Sequence, residues 1–321
     1  MRHVKSILAV LTADSLSDVA LARAVSLAQV SRAALTLVDV IDGAPGELGR
    51  LMAALTGQRG SAIEEDVIAF HRARLSGFAK KARAQGIEVT EAVLQGSPFL
   101  EVIRMVLREG HDVVIKGATL SAEGRGTLKG FDMHLLRKCP CPVWLLMAEG
   151  DTRFARVLAT IDPPGQDDPA RDSLDHQVLG IASDLAVHDG ADLQVLHAWS
   201  LPGERALRQG RFGKARKGTV DSLIAQEETA ARARVMARMS DHPQVPKTAI
   251  HMQQGIAADV IAQHAEASGV DAIVMGTVGR TGVSGFVMGT TAETILRRVS
   301  CAVIAVKPDG FVSPVTLNPV I

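Results

Sequence analysis

A chain of 321 residues, 47% hydrophobic and 22% charged, is long enough for two ordinary domains and too apolar for a disordered polymer. Thirty-five basic residues balance thirty-five acidic ones, so nothing global argues for nucleic acid or an acidic membrane, and either would have to use a local patch. No apolar run approaches the ~18 residues of a membrane span, and the run from Ile7 to Leu11 is too short for a signal peptide; a soluble, cytoplasmic protein is expected.

In chain order, strands are expected near Ile7 to Leu11, Ala34 to Val40, Ile87 to Leu94, Val113 to Lys116 and Val143 to Met147. Between them lie segments of helical period such as "DVALARAVSLAQV" from Asp18. The polar stretch "MAEGDTRF", Met147 to Phe154, then reads as a boundary, dividing the chain into residues 1–149 and 150–321. Beyond it the pattern repeats, with strands near Val157 to Ile161, Leu193 to Ala198, Thr248 to Gln253, Ala272 to Met275 and Val303 to Val306. "HLLRKCPCPVWLLM" from His134 lies over "TILRRVSCAVIAVK" from Thr294, and "HDVVIKG" answers "VDAIVMG", so each half repeats the other in order. Short apolar runs alternating with helical segments predict an α/β fold, two tandem doubly wound parallel-sheet domains. Halves joined so closely are expected to pair about a pseudo-twofold axis.

The stretch "MGTVGRTGVSGFVMGTTAETILRR" runs from a strand through a glycine-rich loop into a helix. In a doubly wound sheet, ligands sit at the carboxyl ends of strands. Gly276 is expected to turn the chain at positive φ, and Gly279 and Gly289 to let backbone N–H groups approach an anion. Thr290 and Glu293 have capping-box spacing, which predicts that Thr290 caps the helix beside Thr291, and Arg280 adds a cation at the rim. The spacing is neither GxxxxGK[ST] nor GxGxxG, so neither a P-loop NTPase nor a Rossmann dehydrogenase is supported. Read from residues alone, a connection that binds nothing stays equally open.

Gly276-Thr277-Val278-Gly279, nine residues, then Gly289-Thr290 resembles the GxxGx9G[ST] nucleotide loop of the universal stress protein family. Both halves look like members, and "LLRKCPCPVW" and "VKPDGFVSPVTL" resemble the tandem-domain members in particular. The resemblance implies that Asp162 lies beside the ribose and adenine of a bound ATP and that the Ala198 backbone faces the adenine edge. It assigns Gly276, Gly279, Gly289, Thr290 and Thr291 to the ribose and phosphates. A divalent cation, Mg2+ or Mn2+, would come with the phosphates.

The N-terminal half departs from this pattern. Gly117 matches Gly276, but Leu120 stands for Gly279, Lys129-Gly130 for Gly289-Thr290 and Thr12 for Asp162, so this half is expected to bind no ATP. Its expected role is pairing with the other half, or holding a different ligand.

His134 and His197 read as packed side chains more readily than as metal ligands or catalysts. The segment Gly203 to Gly218 gathers Arg205, Arg208, Arg211, Lys214, Arg216 and Lys217 around one aromatic, Phe212, and reads as a solvated loop before it reads as an RNA or lipid surface. Three cysteines are too few for a disulfide framework, and Cys139-Pro140-Cys141 has neither CxxC nor zinc spacing, leaving reduced, packed thiols. No catalytic motif is present. The resemblance implies a nucleotide-binding regulator or sensor in the stress response, acting through a conformational or partner-binding response to ATP. Two rivals are a slow ATPase or autophosphorylating enzyme using Asp162, Arg280, Mg2+ and Thr290 or Ser284, and a scaffold using the 203–218 basic loop.

Overall fold

The computed structural model describes residues 4–12, 16–43, 50, 60–119, 128, 130–147, 153–164, 168–209, 217–277 and 288–317. The N-terminal half runs β1 (Ser6–Val10), α1 (Ser17–Ser31), β2 (Ala34–Ile41), α2 (Gly60–Arg83), β3 (Val89–Gln95), α3 (Pro98–Glu109), β4 (Val113–Gly117), α4 (Gly130–Lys138) and β5 (Val143–Leu146). The C-terminal half runs β6 (Arg156–Thr160), α5 (Pro169–Asp189), β7 (Asp192–Trp199), α6 (Glu204–Gln209), α7 (Lys217–Ser240), β8 (Ile250–Gln254), α8 (Ala257–Ala267), β9 (Ala272–Gly276), α9 (Thr290–Leu296) and β10 (Ala302–Val306).

All ten expected strands are present. β8 starts later than its sequence suggests because Lys247–Ala249 first closes a 3-10 turn behind Pro246. Local chemistry sets the helix ends. Pro98 and Pro169 occupy first-turn positions where a missing N–H costs nothing. Gly110 and Gly190 then close those helices in the left-handed region.

Each half is a five-stranded parallel sheet, and the two merge into one ten-stranded sheet of order β3-β2-β1-β4-β5-β10-β9-β6-β7-β8. The junction is antiparallel, Val303 opposite Leu145, Ile304 opposite Trp144 and Ala305 opposite Val143. Since each residue of the first half lies 160 positions before its counterpart here, Trp144 faces its own equivalent and the flanking pairs exchange. The pairing is therefore pseudo-twofold, and it removes two edge strands that would otherwise invite aggregation.

Helices cover both faces of the sheet. α1, α2, α5 and α7 pack into one apolar layer, and α3, α4, α8 and α9 into the other. Strands buried on both faces need continuous apolar runs, which is why β10 reads AVIAV and is buried throughout. Polar contacts also bridge the halves. Arg23 of α1, fully buried, pairs with Asp189 of α5 at 2.8 Å and lies over the rings of Trp144 and Phe154. On the other face Arg137 of α4 binds Glu293 of α9 at 3.0 Å. The chain end crosses back to the first half, where the Ser313 hydroxyl donates to the Lys138 carbonyl at 2.7 Å and Val315 is buried.

Candidate functional site

At the carboxyl ends of β6, β7 and β9 opens a cavity of about 690 Å³. It lies where strand order reverses around β6, the place this fold reserves for ligands. Asp162 follows β6, Ala198 lies in β7, Gly276 ends β9, and Gly289, Thr290 and Thr291 begin α9; all six line the cavity. Gly279 and Arg280 lie outside the described residues, as do Ser284, Leu120 and Lys129.

Two local expectations need correction. Gly276 is not among the residues with positive φ. Its lack of a side chain matters through close approach, since a Cβ there would lie 2.5 Å from Cδ2 of Leu174 on α5. Nor does Thr290 cap α9. The N-cap is Gly289, without a side-chain cap, and Thr290 is the first helical residue. The Glu293 carboxylate that a capping box needs is taken by Arg137 of the other half, while the Gly289 N–H donates to the Thr277 carbonyl at 3.1 Å.

The floor of the cavity is polar in a way the motif did not reveal. Asp162 is largely exposed and ion-paired with Arg171, and its own N–H donates to Asp175 Oδ1 at 3.1 Å. Asp175 is buried, its Oδ2 has no hydrogen-bond partner among the described residues, and burial pushes its carboxyl up to about 7. His197 is buried as well. Its Nδ1 lies 3.1 Å from the Ile161 carbonyl, so Nδ1 carries the proton and Nε2 is left as an acceptor without a partner among the described residues. Burial lowers its pKa and keeps the ring neutral. On the α7 wall Arg234 and Glu227 pair at 2.8 Å. Sequence reasoning placed His197 in the core and missed Asp175, Arg171, Glu227 and Arg234. The one available signal was charge recurring on helices that flank a ligand-bearing strand end.

The corresponding end of the N-terminal half is built differently. Lys116, in the place of Met275, is completely buried and pairs with Asp132, in the place of Ala292, at 2.9 Å. Its ammonium also donates to the Gly117 carbonyl and the Thr119 hydroxyl, and the Thr119 N–H donates to Asp132 at 2.7 Å. Met275 and Ala292 line the C-terminal cavity. An ion pair thus occupies in one half the positions that bound the cavity in the other. In β2, Asp39 replaces His197 and is held by Arg74 and by His71 at 2.6 Å.

The remaining features take structural places. His134 stacks on Phe99 with ring centroids 4.4 Å apart. In the basic segment, Arg208 is paired with Glu204 at 2.8 Å and Asp221 at 3.3 Å, while residues 210–216 lie outside the described residues. Among the described residues no helix is long and apolar enough to cross a membrane, and no group of three or more metal-ligating side chains occurs.

Comparison with known proteins finds the family profile described as "Universal stress protein family" twice, over residues 3–146 and 156–307. The Universal stress protein E homolog of Haemophilus influenzae is 26% identical over 316 residues, covering 95% of this chain and 98% of that protein. Universal stress protein E of Escherichia coli K12 is 26% identical over 262 residues, 80% of each chain. Among solved structures, a Pseudomonas aeruginosa PAO1 protein described as functionally unknown superposes with a TM-score of 0.71 at 24% identity, covering 96% of this chain and 94% of that one. That likeness speaks to fold.

Proposed function

Because the chain belongs to the universal stress protein family, we propose that its C-terminal half binds ATP as a regulatory or sensing ligand of the stress response, while the N-terminal half binds none. One observation carries this reading: Asp162, Ala198, Gly276, Gly289, Thr290 and Thr291, scattered over 130 residues of sequence, line one cavity. Its volume of about 690 Å³ lies within the usual range for small-molecule sites.

The lining suits the parts of a nucleotide. Ala198, Ile261 and Met275 offer apolar surface to a base, and the Asp162 carboxylate can accept from ribose hydroxyls while Arg171 holds it in place. Gly276, Gly289, Thr290 and Thr291 line the cavity between the end of β9 and the start of α9, where the phosphates would lie. Mg2+ or Mn2+ would be held mainly by the phosphates, as hard cations are in nucleotide sites. A ligand contacting the start of α9 would load the helix whose Glu293 grips Arg137 of the other half. Occupancy would thereby reach the N-terminal half and any partner it carries.

The direct experiment is to identify and count the nucleotide released from heat-denatured protein, wild type beside Asp162→Ala. About one ATP per chain, with a loss of roughly tenfold or more in the variant, is expected. No nucleotide released, together with no calorimetric heat on adding ATP and Mg2+, would end the proposal. Phosphate release over many turnovers would move the reading toward an enzyme.

A further inference from the structure

The turn between α4 and β5 carries Cys139 and Cys141, whose sulfurs lie 3.6 Å apart in hydrogen-bond contact. Cys139 is fully buried and Cys141 is partly exposed. Beneath them Lys307, which follows β10, is 4% exposed and donates to the Leu136 carbonyl at 2.5 Å and to the Thr277 hydroxyl. Lys116, its buried counterpart in the first half, has Asp132 as counter-ion. Lys307 has no carboxylate partner among the described residues; burial lowers its pKa to about 8, and the charges of the two thiols act against that. A buried ammonium is costly unless an anion answers it. The anion within reach is a thiolate.

We propose that Cys139 and Cys141 form a redox-active dithiol, closed to an intramolecular disulfide by a small disulfide such as oxidised glutathione, with Lys307 the counter-cation of its reduced form. The chemistry balances. The thiolate of Cys141, the more exposed of the two, attacks the small disulfide, forming a mixed disulfide and expelling one small thiolate. Cys139 then attacks the Cys141 sulfur and expels the second. Two electrons pass from the protein thiols to the small disulfide, and their two protons end on the two released thiols. The sulfurs need to approach by a further roughly 1.5 Å to reach bonding distance.

The electrostatics agree. Burial pushes the Cys139 thiol up, but hydrogen bonds with the Cys141 thiol and the Cys141 backbone, and then the Lys307 charge, together outweigh it and bring it below its ordinary value. The first of these hydrogen bonds, then burial, push Cys141 up. The two thiols titrate as a unit with Cys139 the easier to ionise, so the Cys141 sulfur reaches the thiolate form by passing its proton inward. Cys301 is the internal control, since burial pushes its thiol up to about 12.

Oxidation removes the anion facing Lys307. Lys307 holds Thr277, which lines the cavity and whose carbonyl receives the Gly289 N–H. Resting on the nucleotide reading, the further consequence is that oxidation changes ATP affinity.

The test equilibrates the full chain with graded ratios of oxidised to reduced glutathione, quenches in acid, alkylates and maps peptides by mass. The expected result is a Cys139–Cys141 disulfide formed reversibly, with Cys301 left as a thiol and a trapped glutathione adduct on Cys141 in Cys139→Ser. Both thiols still reduced at the most oxidising ratio, or oxidation through Cys301 alone, would overturn the dithiol. In Lys307→Met, alkylation of the pair at neutral pH should slow about tenfold, because the thiolate is the form that reacts; an unchanged rate removes Lys307 as counter-cation. Should that variant not fold, the wild-type pH–rate profile decides the point: an inflection at or above the ordinary thiol value removes Lys307 equally. ATP titration of both forms then reads the coupling. Equal affinity sinks the coupling alone, and no binding by either form sinks the nucleotide reading while leaving the dithiol standing.

Discussion

The two halves of this chain share one fold and differ at one end of it. In the C-terminal half the carboxyl edge of the sheet is open, walled by Met275 and Ala292 and floored by Asp162, Asp175 and His197. In the N-terminal half Lys116 and Asp132 stand in those walls and bind each other with no exposed surface. Two equivalent positions are therefore filled differently, one by a buried ion pair and the other by residues that line a cavity. There the ion pair joins Thr119 and the Gly117 carbonyl in one hydrogen-bond network.

Moving that lesion is the largest way to break the comparison. Met275→Lys with Ala292→Asp copies the first half's pair into the second and sets an extra carboxylate where phosphates are proposed to lie. ATP affinity should fall about 100-fold or more, since the paired side chains take space the ligand needs, while the far-ultraviolet circular dichroism stays as in wild type. Calorimetric titration reads it, and unchanged affinity in a folded double variant would mean that the pair is not what separates the halves.

The ion pair itself should show the asymmetry of buried charge. Lys116→Met alone strands Asp132 and should cost about 3–5 kcal/mol. Adding Asp132→Ala should recover at least half of that, limited by the acceptor then lost to the Thr119 N–H. Urea-unfolding midpoints of the two single variants and the double variant form the cycle. Strict additivity would show that the two side chains do not depend on each other.

How much of this was legible follows from what each residue answers to. The ten strands were readable because a sheet covered on both faces demands continuous apolar runs, and the 160-residue offset exposed the duplication before any geometry. Convergence of the six described candidate residues on one cavity follows from motif position in such a fold. Thr290 and Glu293 misled, because a capping box is a local pattern and the partner that captured Glu293 lies 156 residues away. Asp175 was invisible for a similar reason: its significance comes from burial beside Asp162, which periodicity along α5 does not encode. Lys116 did leave a trace, a charge inside the apolar run VVIKG, and only the buried position of Asp132 explains it.

The open floor should also titrate. The carboxyl of Asp175 is raised by burial from its ordinary value to about 7, so the folded chain binds a proton there more tightly than the unfolded chain does. Its contribution to stability is then fully present below about pH 4 and lost as pH rises through about 7, a difference on the order of 2–4 kcal/mol. Ser17 of the first half stands at the equivalent position and cannot titrate. Unfolding midpoints at pH 5 and pH 8 should therefore differ in wild type by more than in Asp175→Asn, and equal differences would remove Asp175 as the source.

The smallest contrast lies in the two glycines that end β4 and β9. A Cβ on Gly117 would meet Leu16 Cβ at 2.4 Å and the Leu16 carbonyl oxygen at 3.0 Å, where relief requires moving backbone. A Cβ on Gly276 would meet the Leu174 side chain, its nearest atom the terminal Cδ2 at 2.5 Å, which a change of rotamer can relieve. Gly117→Ala should thus cost about 2–3 kcal/mol and Gly276→Ala nearer 1. The second should still disturb ATP binding more than the first, because a shifted Leu174 enters the cavity it lines. Measured side by side, stability and affinity should rank the two variants in opposite orders; the same order in both would mean that the glycine of the open half serves packing, as its twin does.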